Sequence, residues 1–283
     1  MLKFYYHPSP NPAKVALFLE ESGLPYEVVP VDTRKGEQFS REFTAINPNN
    51  KTPAIEDGGV RVFDSNAILL YLAEKTDTFL PEKTLAARGE LLCWMMFFAT
   101  GIGPYSGQAV HFKHFAPKGL DYAVDRYLYE ARRHYGILNT QLSKAPFVLG
   151  GNYTIADISA WGWVRALPFI LGEDVWSAFP HIKTWFDRIN ERPAARRANA
   201  LTVSNSRLRW TRKRAATCSG THLLGNSSPK AADIYYILLS DSRLEAPNAS
   251  VWHTTWTMRR SRSRNKYGVD PNAPRNPNTN QIQ

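Results

Sequence analysis

Apolar and polar positions follow two rhythms along this chain. "LKFYY", Leu2 to Tyr6, reads as a short strand. From Ala13 to Ser22 the period becomes helical: Val15, Ala16 and Leu19 share a face, with Phe18 one position off. Gly23 supplies a C-terminal stop signal. "YEVVPV", Tyr26 to Val31, is a second strand. Strand, helix and strand within about 30 residues form a βαβ unit, so the two strands are expected to be parallel. "EFTAINPNNKTPAIED" leads into a third strand around Ala54 to Glu56, Gly58-Gly59 form a hairpin turn, and "VRVF" alternates as a fourth strand. Asp64 and Ser65 then cap a helix running to about Lys75.

From Leu85 to Ala200 only the helical period remains. "LAARGELLCWMMFFA" and "YAVDRYLYEARRHYGILNTQL" are long and amphipathic. In "NYTIADISAWGWV", Thr154 and Asp157 have capping-box spacing, and Tyr153 and Ile158 that of a hydrophobic staple. Such a doubly specified start fits a helix at the middle of a bundle. After Leu201 neither rhythm is sustained. Only "AADIYYILLS" has the makings of a packed segment, and the composition is that of a disordered tail. The expected organisation is an α/β thioredoxin-like domain (βαβ then ββα) over residues 1–79, a linker over 80–88, an all-α helical domain over 89–201 and a basic tail over 202–283.

Composition changes this picture in three places. A chain of 283 residues, 43% apolar and 12% aromatic, has enough core for about two domains and is not disordered throughout. The N-terminus lacks a charged segment followed by an apolar stretch, so no signal peptide is expected. The longest apolar run, Leu91 to Gly103, is interrupted by Thr100 and Gly101 and falls short of the roughly 20 residues a membrane span needs, so no membrane association is expected. Two cysteines, Cys93 and Cys218, make no disulfide framework and fit a reducing, cytoplasmic setting. The net charge of +10 is unevenly placed: residues 1–202 carry +1 and residues 203–283 carry +9. The body therefore shows no electrostatic footprint for nucleic acid.

Candidate chemistry begins at the turn Ser9-Pro10-Asn11-Pro12. Small redox proteins with this opening usually carry a Cys-x-x-Cys pair there, and this turn has no sulfur. A thioredoxin-like layout followed by helices alone, with "HPSPNPAK", "GEQF", "NPNNK", "KTPAI", "FDSNAILLYL" and "GIGPYSGQAVHFKHFAP", resembles a glutathione transferase over residues 1–202. Within that family these motifs resemble the Nu class of bacterial members, some of which are disulfide-bond oxidoreductases.

The resemblance implies that glutathione, reduced or as its disulfide, brings the reactive sulfur, so the turn needs no cysteine. It aligns Ser9 and Asn11 with a hydroxyl residue and an Asn that approach the sulfur, where donors and a helix N-terminus lower a thiol's pKa. Ser9 stands for a more usual Thr, and Pro12 for a Gly. Thr52 would pair its backbone with the cysteinyl part of glutathione beside a cis Pro53, and Ser65 and Asp64 would take the carboxylate and ammonium of its γ-glutamyl end. Asp64 is one methylene shorter than the family's Glu, so its contact would be longer or bridged by water. Gln38, Asn50 and Lys51 match positions holding the glycyl carboxylate and the cysteinyl part. Arg133, beside Arg132, matches an arginine that helps bind a second glutathione or the disulfide.

Plainer readings stand beside these. Pro53 can be an ordinary trans proline, Asn11, Asp64 and Ser65 helix caps, Lys51 a solvated lysine and Arg133 an exposed helix position. His111 and His114 in "HFKH" lack further ligands, so no metal is expected. Cys93 reads as an inert core residue. The resemblance implies a homodimer that reduces small disulfides, with conjugation of glutathione to electrophiles as the alternative and a non-catalytic glutathione-binding or chaperone-like role as another. Substrate choice would lie in loops around Pro104 to Pro117.

The family continues with an acidic helical end, where this chain has "RWTRKRAATCSGTH". The possible codons of that stretch, read in the neighbouring frame, permit Met-Asp-Glu-Glu-Ala followed by Met-Phe-Arg-His, which is similar to the ending of the class. A frameshift near residue 203 is therefore expected, with a true basic extension for RNA or membrane as the rival.

Overall fold

The computed structural model describes residues 1–201; the basic tail, Cys218 and the frameshift expectation lie outside them. Four strands, β1 (Leu2–Tyr6), β2 (Tyr26–Pro30), β3 (Ala54–Asp57) and β4 (Val60–Phe63), form one sheet in the order β2-β1-β3-β4. β1 runs parallel to β2, with Phe4 opposite Val28, and antiparallel to β3, with Phe4 opposite Ile55; β3 and β4 are antiparallel. Gly58 and Gly59 make the hairpin turn at φ 57° and 90°, a region where a side chain would be strained.

Three helices accompany the sheet: α1 (Pro10–Ser22), α2 (Arg41–Ile46) and α3 (Ser65–Thr76). Helix α1 starts three residues earlier than its apolar pattern suggests. Proline is well suited to a first helical turn, because its missing N–H would have had no partner there and its φ is already helical. Asn11 consequently lies inside the helix and does not cap it. Ser9 occupies the cap position in extended conformation, without a side-chain cap bond. Helix α2, at six residues, is too short to show a helical period in the sequence; Ser40 Oγ caps it by accepting from Phe43 N–H at 3.1 Å.

Eight further helices complete the described chain: α4 (Leu85–Phe97), α5 (Gly103–His114), α6 (Asp121–Leu142), α7 (Ile155–Val164), α8 (Leu167–Leu171), α9 (Val175–Ala178), α10 (Pro180–Asn190) and α11 (Pro193–Ala200). A π-helical turn, Phe98–Ile102, joins α4 to α5. The apolar run read as interrupted at Thr100 and Gly101 is therefore one 30-residue helix, long and apolar enough by composition alone to cross a membrane. Here its Leu91, Met95, Phe98, Ile102, Ala109 and Val110 are buried in the core, and it packs on α6 and α7. Gly101 lets the π turn touch α6, since a Cβ there would collide with the His134 ring. Cys93 is exposed, contrary to the core reading. The buried stripe of α4 falls on Leu91 and Met95, and a 3.6-residue period turns Cys93 to the far side.

Helix α7 sits centrally, as its start signal implied. Thr154 Oγ1 accepts from Ala156 N–H (3.3 Å) and Asp157 Oδ2 from Thr154 N–H (3.0 Å), a reciprocal capping box. All of α7 is buried, and it packs along α1. Gly162 makes that approach possible: a Cβ there would overlap the Pro10 carbonyl and the Lys14 side chain. Gly162→Ala would gain about 1 kcal/mol of helix propensity. A backbone carbonyl cannot move aside, however, and overpacking costs about 1–3 kcal/mol. The expected outcome is a net fall in the urea-denaturation midpoint; an unchanged or higher midpoint would show that α1 and α7 can separate freely.

Candidate functional site

A cavity of about 490 Å³ opens where the end of β1, the start of α1, two loops and the helical domain meet. Six of the sequence-expected residues line it: Ser9, Asn11, Gln38, Asn50, Lys51 and Thr52. Pro53 follows Thr52 through a cis peptide bond, as the resemblance implied. His7, Pro10, Thr33, Gly107, Gln108, Val110, His111, Phe115 and Trp163 complete the wall, and no sequence motif marks any of them individually as a glutathione contact. The far side of the cavity is thus helix α5, not the loops expected around Pro104 to Pro117. The Gly- and Pro-containing stretch before it is absorbed into the π turn and the first turn of α5.

The start of α1 presents few donors. Pro10 and Pro12 have no N–H, and Ala13 N–H is bonded to Ser9 O at 3.1 Å. Between the two prolines, Asn11 supplies the backbone N–H at the start of the helix. Its side chain is also oriented. Trp163 Nε1–H, which can only donate, reaches Asn11 Oδ1 at 3.0 Å, and Ser65 Oγ donates to the same oxygen at 3.5 Å. With Oδ1 taken by two donors, the Asn11 amide nitrogen is the group left for a ligand. Ser9 Oγ donates weakly to His7 O at 3.4 Å. His7 is buried: its Nδ1 bonds Val31 O and its Nε2 bonds Thr33 Oγ1, each at 3.0 Å, tying the β1 end to the Thr33 loop.

The second loop is braced by a residue the sequence did not flag. Asn47, 1% exposed, donates through Nδ2 to Lys51 O (2.6 Å) and accepts through Oδ1 from Asn49 N–H (2.9 Å). Asn50 adopts φ 55°, a conformation Asn tolerates better than most residues, and its Oδ1 accepts from Thr44 Oγ1 at 2.8 Å. Gln38 is 1% exposed, and neither its Nε2 nor its Oε1 has a hydrogen-bond partner among the described residues. Buried amide groups are rarely left in this state without a ligand or water to pair them.

Four expected site residues lie off the cavity wall: Pro53, just behind Thr52, and Asp64, Ser65 and Arg133. Asp64, at φ 71°, uses Oδ1 to accept from Asn66 N–H (2.8 Å) and Ala67 N–H (3.1 Å), so it caps α3. Ser65 is buried beneath the wall, donating to Asn11 and accepting from Lys14 Nζ. Arg133 donates to Glu130 Oε2 at 2.9 Å and contacts His134 Nε2 at 3.2 Å, outside the lining. Arg132 turns instead to Leu171 O, at 3.2 Å. His111 faces the cavity, while the His114 ring stacks on Phe169 at 3.9 Å, so the two do not converge on a metal. Among the described residues no three His, Cys, Asp or Glu side chains gather for a metal ion. Tyr6 is a packing residue: its hydroxyl donates to Leu201 O, and burial pushes its pKa up to about 12.

Comparison with known proteins agrees with this fold. Residues 1–74 match the model of the glutathione S-transferase N-terminal domain, and residues 121–188 that of the C-terminal domain. The chain is 44% identical to the disulfide-bond oxidoreductase YfcG of Escherichia coli K12 over 205 residues, which cover 70% of this chain and 94% of the relative. It is 37% identical to the disulfide-bond oxidoreductase YghU of the same organism, covering 73% and 77%. Among solved structures, a glutathione transferase family member from Pseudomonas fluorescens with two glutathione bound matches with TM-score 0.66 and 38% identity, covering 70% of this chain and 91% of that one. A glutathione transferase from Pseudomonas putida, with one glutathione disulfide bound per subunit, matches with TM-score 0.66 and 37% identity, covering 70% and 90%. With both domain models matched and this fold beneath them, the chain belongs to the glutathione S-transferase family.

Proposed function

We propose that this chain is a glutathione-dependent disulfide-bond oxidoreductase of the Nu-class type. The observation that carries this reading is the sulfur-free turn at the cavity wall in which Trp163 and Ser65 both donate to Asn11 Oδ1, leaving the Asn11 amide nitrogen for a ligand. Bound glutathione supplies the thiol for thiol–disulfide exchange with a small disulfide. The chain's own residues hold and tune it. Asn11 offers a backbone N–H and two side-chain hydrogens, and Ser9 a hydroxyl, at the N-terminal end of α1, a setting that favours an anionic sulfur. Gln38, with its two unpaired polar atoms, fits a peptide amide or carboxylate of the ligand. Thr52 beside Pro53 addresses the cysteinyl backbone, Asn50 and Lys51 the glycyl end, and Asp64 with the Ser65 turn the γ-glutamyl end. Arg133, once freed from Glu130, would serve a second glutathione.

The test is steady-state reduction of 2-hydroxyethyl disulfide by glutathione, run beside conjugation of 1-chloro-2,4-dinitrobenzene. Turnover of the disulfide is expected to dominate. Turnover of the aryl halide alone would replace this reading with conjugation, and binding without either would leave a glutathione-binding protein. Trp163→Phe, which removes the donor orienting Asn11, is expected to lower kcat/KM for the disulfide about tenfold. If activity were untouched, the orientation of Asn11 would not matter. A homodimer is also proposed: Val60 and Phe63 on β4, Met96 on α4 and Tyr122 and Tyr129 on α6 are exposed apolar residues suited to cover one another. Light scattering in solution tests it.

A further inference from the structure

We propose that Lys14 is a positioning residue of this site: its buried ammonium, linked through Ser65 to Asn11, supplies the positive charge that favours an anion at the sulfur position. The inference rests on the glutathione reading above.

Lys14 lies one turn below Asn11 on α1 and is 2% exposed. Lysines on helices normally run their stems along the surface and keep the ammonium in water. This one cannot, because α7 lies directly on α1 and Gly162 leaves just enough space for the Lys14 stem. Its Nζ donates to Ser65 Oγ at 3.3 Å and to Asn66 Oδ1 at 3.4 Å. Both acceptors are held by other groups. Asn66 Nδ2 donates to Met95 O at 3.1 Å, and Ser159 Oγ donates to Asn66 Oδ1 at 2.6 Å, so the Asn66 oxygen faces the ammonium. Ser65 then passes its own hydroxyl hydrogen to Asn11 Oδ1. Ammonium, hydroxyl and amide are thus aligned donor to acceptor toward the cavity, and each polarises the next.

No ion pair offsets this charge among the described residues. Its hydrogen-bond partners on α3, Ser65 and Asn66, and its contact on α7, Gly162, are all neutral, and the carboxylate acting on it is that of Asp64 at the cap of α3. Burial pushes the Lys14 pKa down to about 8, with Asp64 pulling the other way. The start of a helix also favours negative over positive charge. A buried, unpaired cation in this position is electrostatically unfavourable on its own and becomes favourable when an anion sits at Asn11. When a bound thiol ionises, its proton leaves to water, and the protein gains the neutralisation of Lys14.

The test compares two probes that share every glutathione group except the one at sulfur: glutathione sulfonate, permanently anionic there, and S-methylglutathione, neutral there. Calorimetric titration of the full chain is expected to show preference for the sulfonate. In Lys14→Met, a near-isosteric neutral side chain, that preference should shrink about tenfold, since a neighbouring opposite charge is worth about one pKa unit or more. Affinity for S-methylglutathione should stay within about twofold. An unchanged preference, or equal losses for both probes, would overturn the proposal and leave Lys14 a packing residue. The wild type gives an answer that does not depend on the variant folding. Raising the pH from 7 to 10 deprotonates Lys14, so the preference should decline, while the ligand's own amino group affects both probes alike. A flat ratio would overturn the proposal. Failure of the wild type to bind either probe would instead remove the glutathione reading, and this inference with it.

Discussion

Asn11→Asp is expected to lower kcat/KM for glutathione-dependent reduction of 2-hydroxyethyl disulfide by about 10² to 10³, the usual loss when a donor to a reacting anion is removed. The substitution is chosen over alanine because it separates chemistry from architecture. An aspartate keeps an oxygen where Trp163 Nε1–H and Ser65 Oγ now donate, at 3.0 and 3.5 Å. What it replaces is the amide nitrogen, two hydrogens exchanged for a negative charge beside the sulfur. The variant should therefore fold with nearly wild-type stability and fail in ionising the thiol. Its thiol pKa, read from thiolate absorbance of the glutathione complex, should rise. Asn11→Ala would lose the same donors but would also leave the Trp163 indole N–H without its acceptor, at about 1–3 kcal/mol. An Asn11→Asp enzyme as active as the wild type would show that Ser9 and the helix start suffice.

The second large effect is on stability. Asp157 is fully buried, and its two oxygens take four hydrogen bonds. Val148 N–H and Trp185 Nε1–H donate to Oδ1, each at 2.9 Å; Thr154 N–H and Oγ1–H donate to Oδ2, at 3.0 and 3.3 Å. These bonds join the start of α7 to the preceding loop and to α10. Asp157→Ala strands several buried donors at once, and about 3–5 kcal/mol of destabilisation is expected. Urea denaturation measures it, and a loss below about 1 kcal/mol would mean that water or a local shift replaces the carboxylate. The pH dependence has a definite sign. Burial pushes the Asp157 pKa up to about 6 from an ordinary value of 3.8, against the downward pull of its hydrogen bonds. A folded-state pKa above the unfolded one means that the folded protein holds the proton more tightly. The linked stability is present in full below about pH 4 and is lost as pH rises through about 6. The gap between wild type and Asp157→Ala should widen as pH falls from 7 to 4.

Much of this molecule is legible in its sequence. Strand boundaries near Leu2, Tyr26, Ala54 and Val60, the glycine hairpin and the Thr154–Asp157 box all follow from signals contained within a few residues. Periodicity, turn chemistry and capping are local, so the chain states them locally. Six of the ten proposed site residues line the cavity for a related reason: they sit in loops and helix starts, whose positions are set by the strands beside them. The misreadings have a common cause. The apolar neighbours of Cys93 point to the core, and only the packing of α4 decides which of its faces is buried. Loops are expected around Pro104 to Pro117, whereas a π turn against His134 carries one helix through to His114.

By itself, then, the sequence determined the thioredoxin-like order of strands and helices, the capped central helix and a turn without sulfur, because each is written in short-range patterns. The tertiary structure decided how the turn works. Trp163 and Asn11 are 152 residues apart, and Lys14 and Ser65 are 51. Nothing in the spacing of α1 says that a lysine on it will be enclosed, since that depends on a glycine in α7. Which side chain faces which across a packed interface is a property of two surfaces meeting, and a pattern read along one segment holds only half of it.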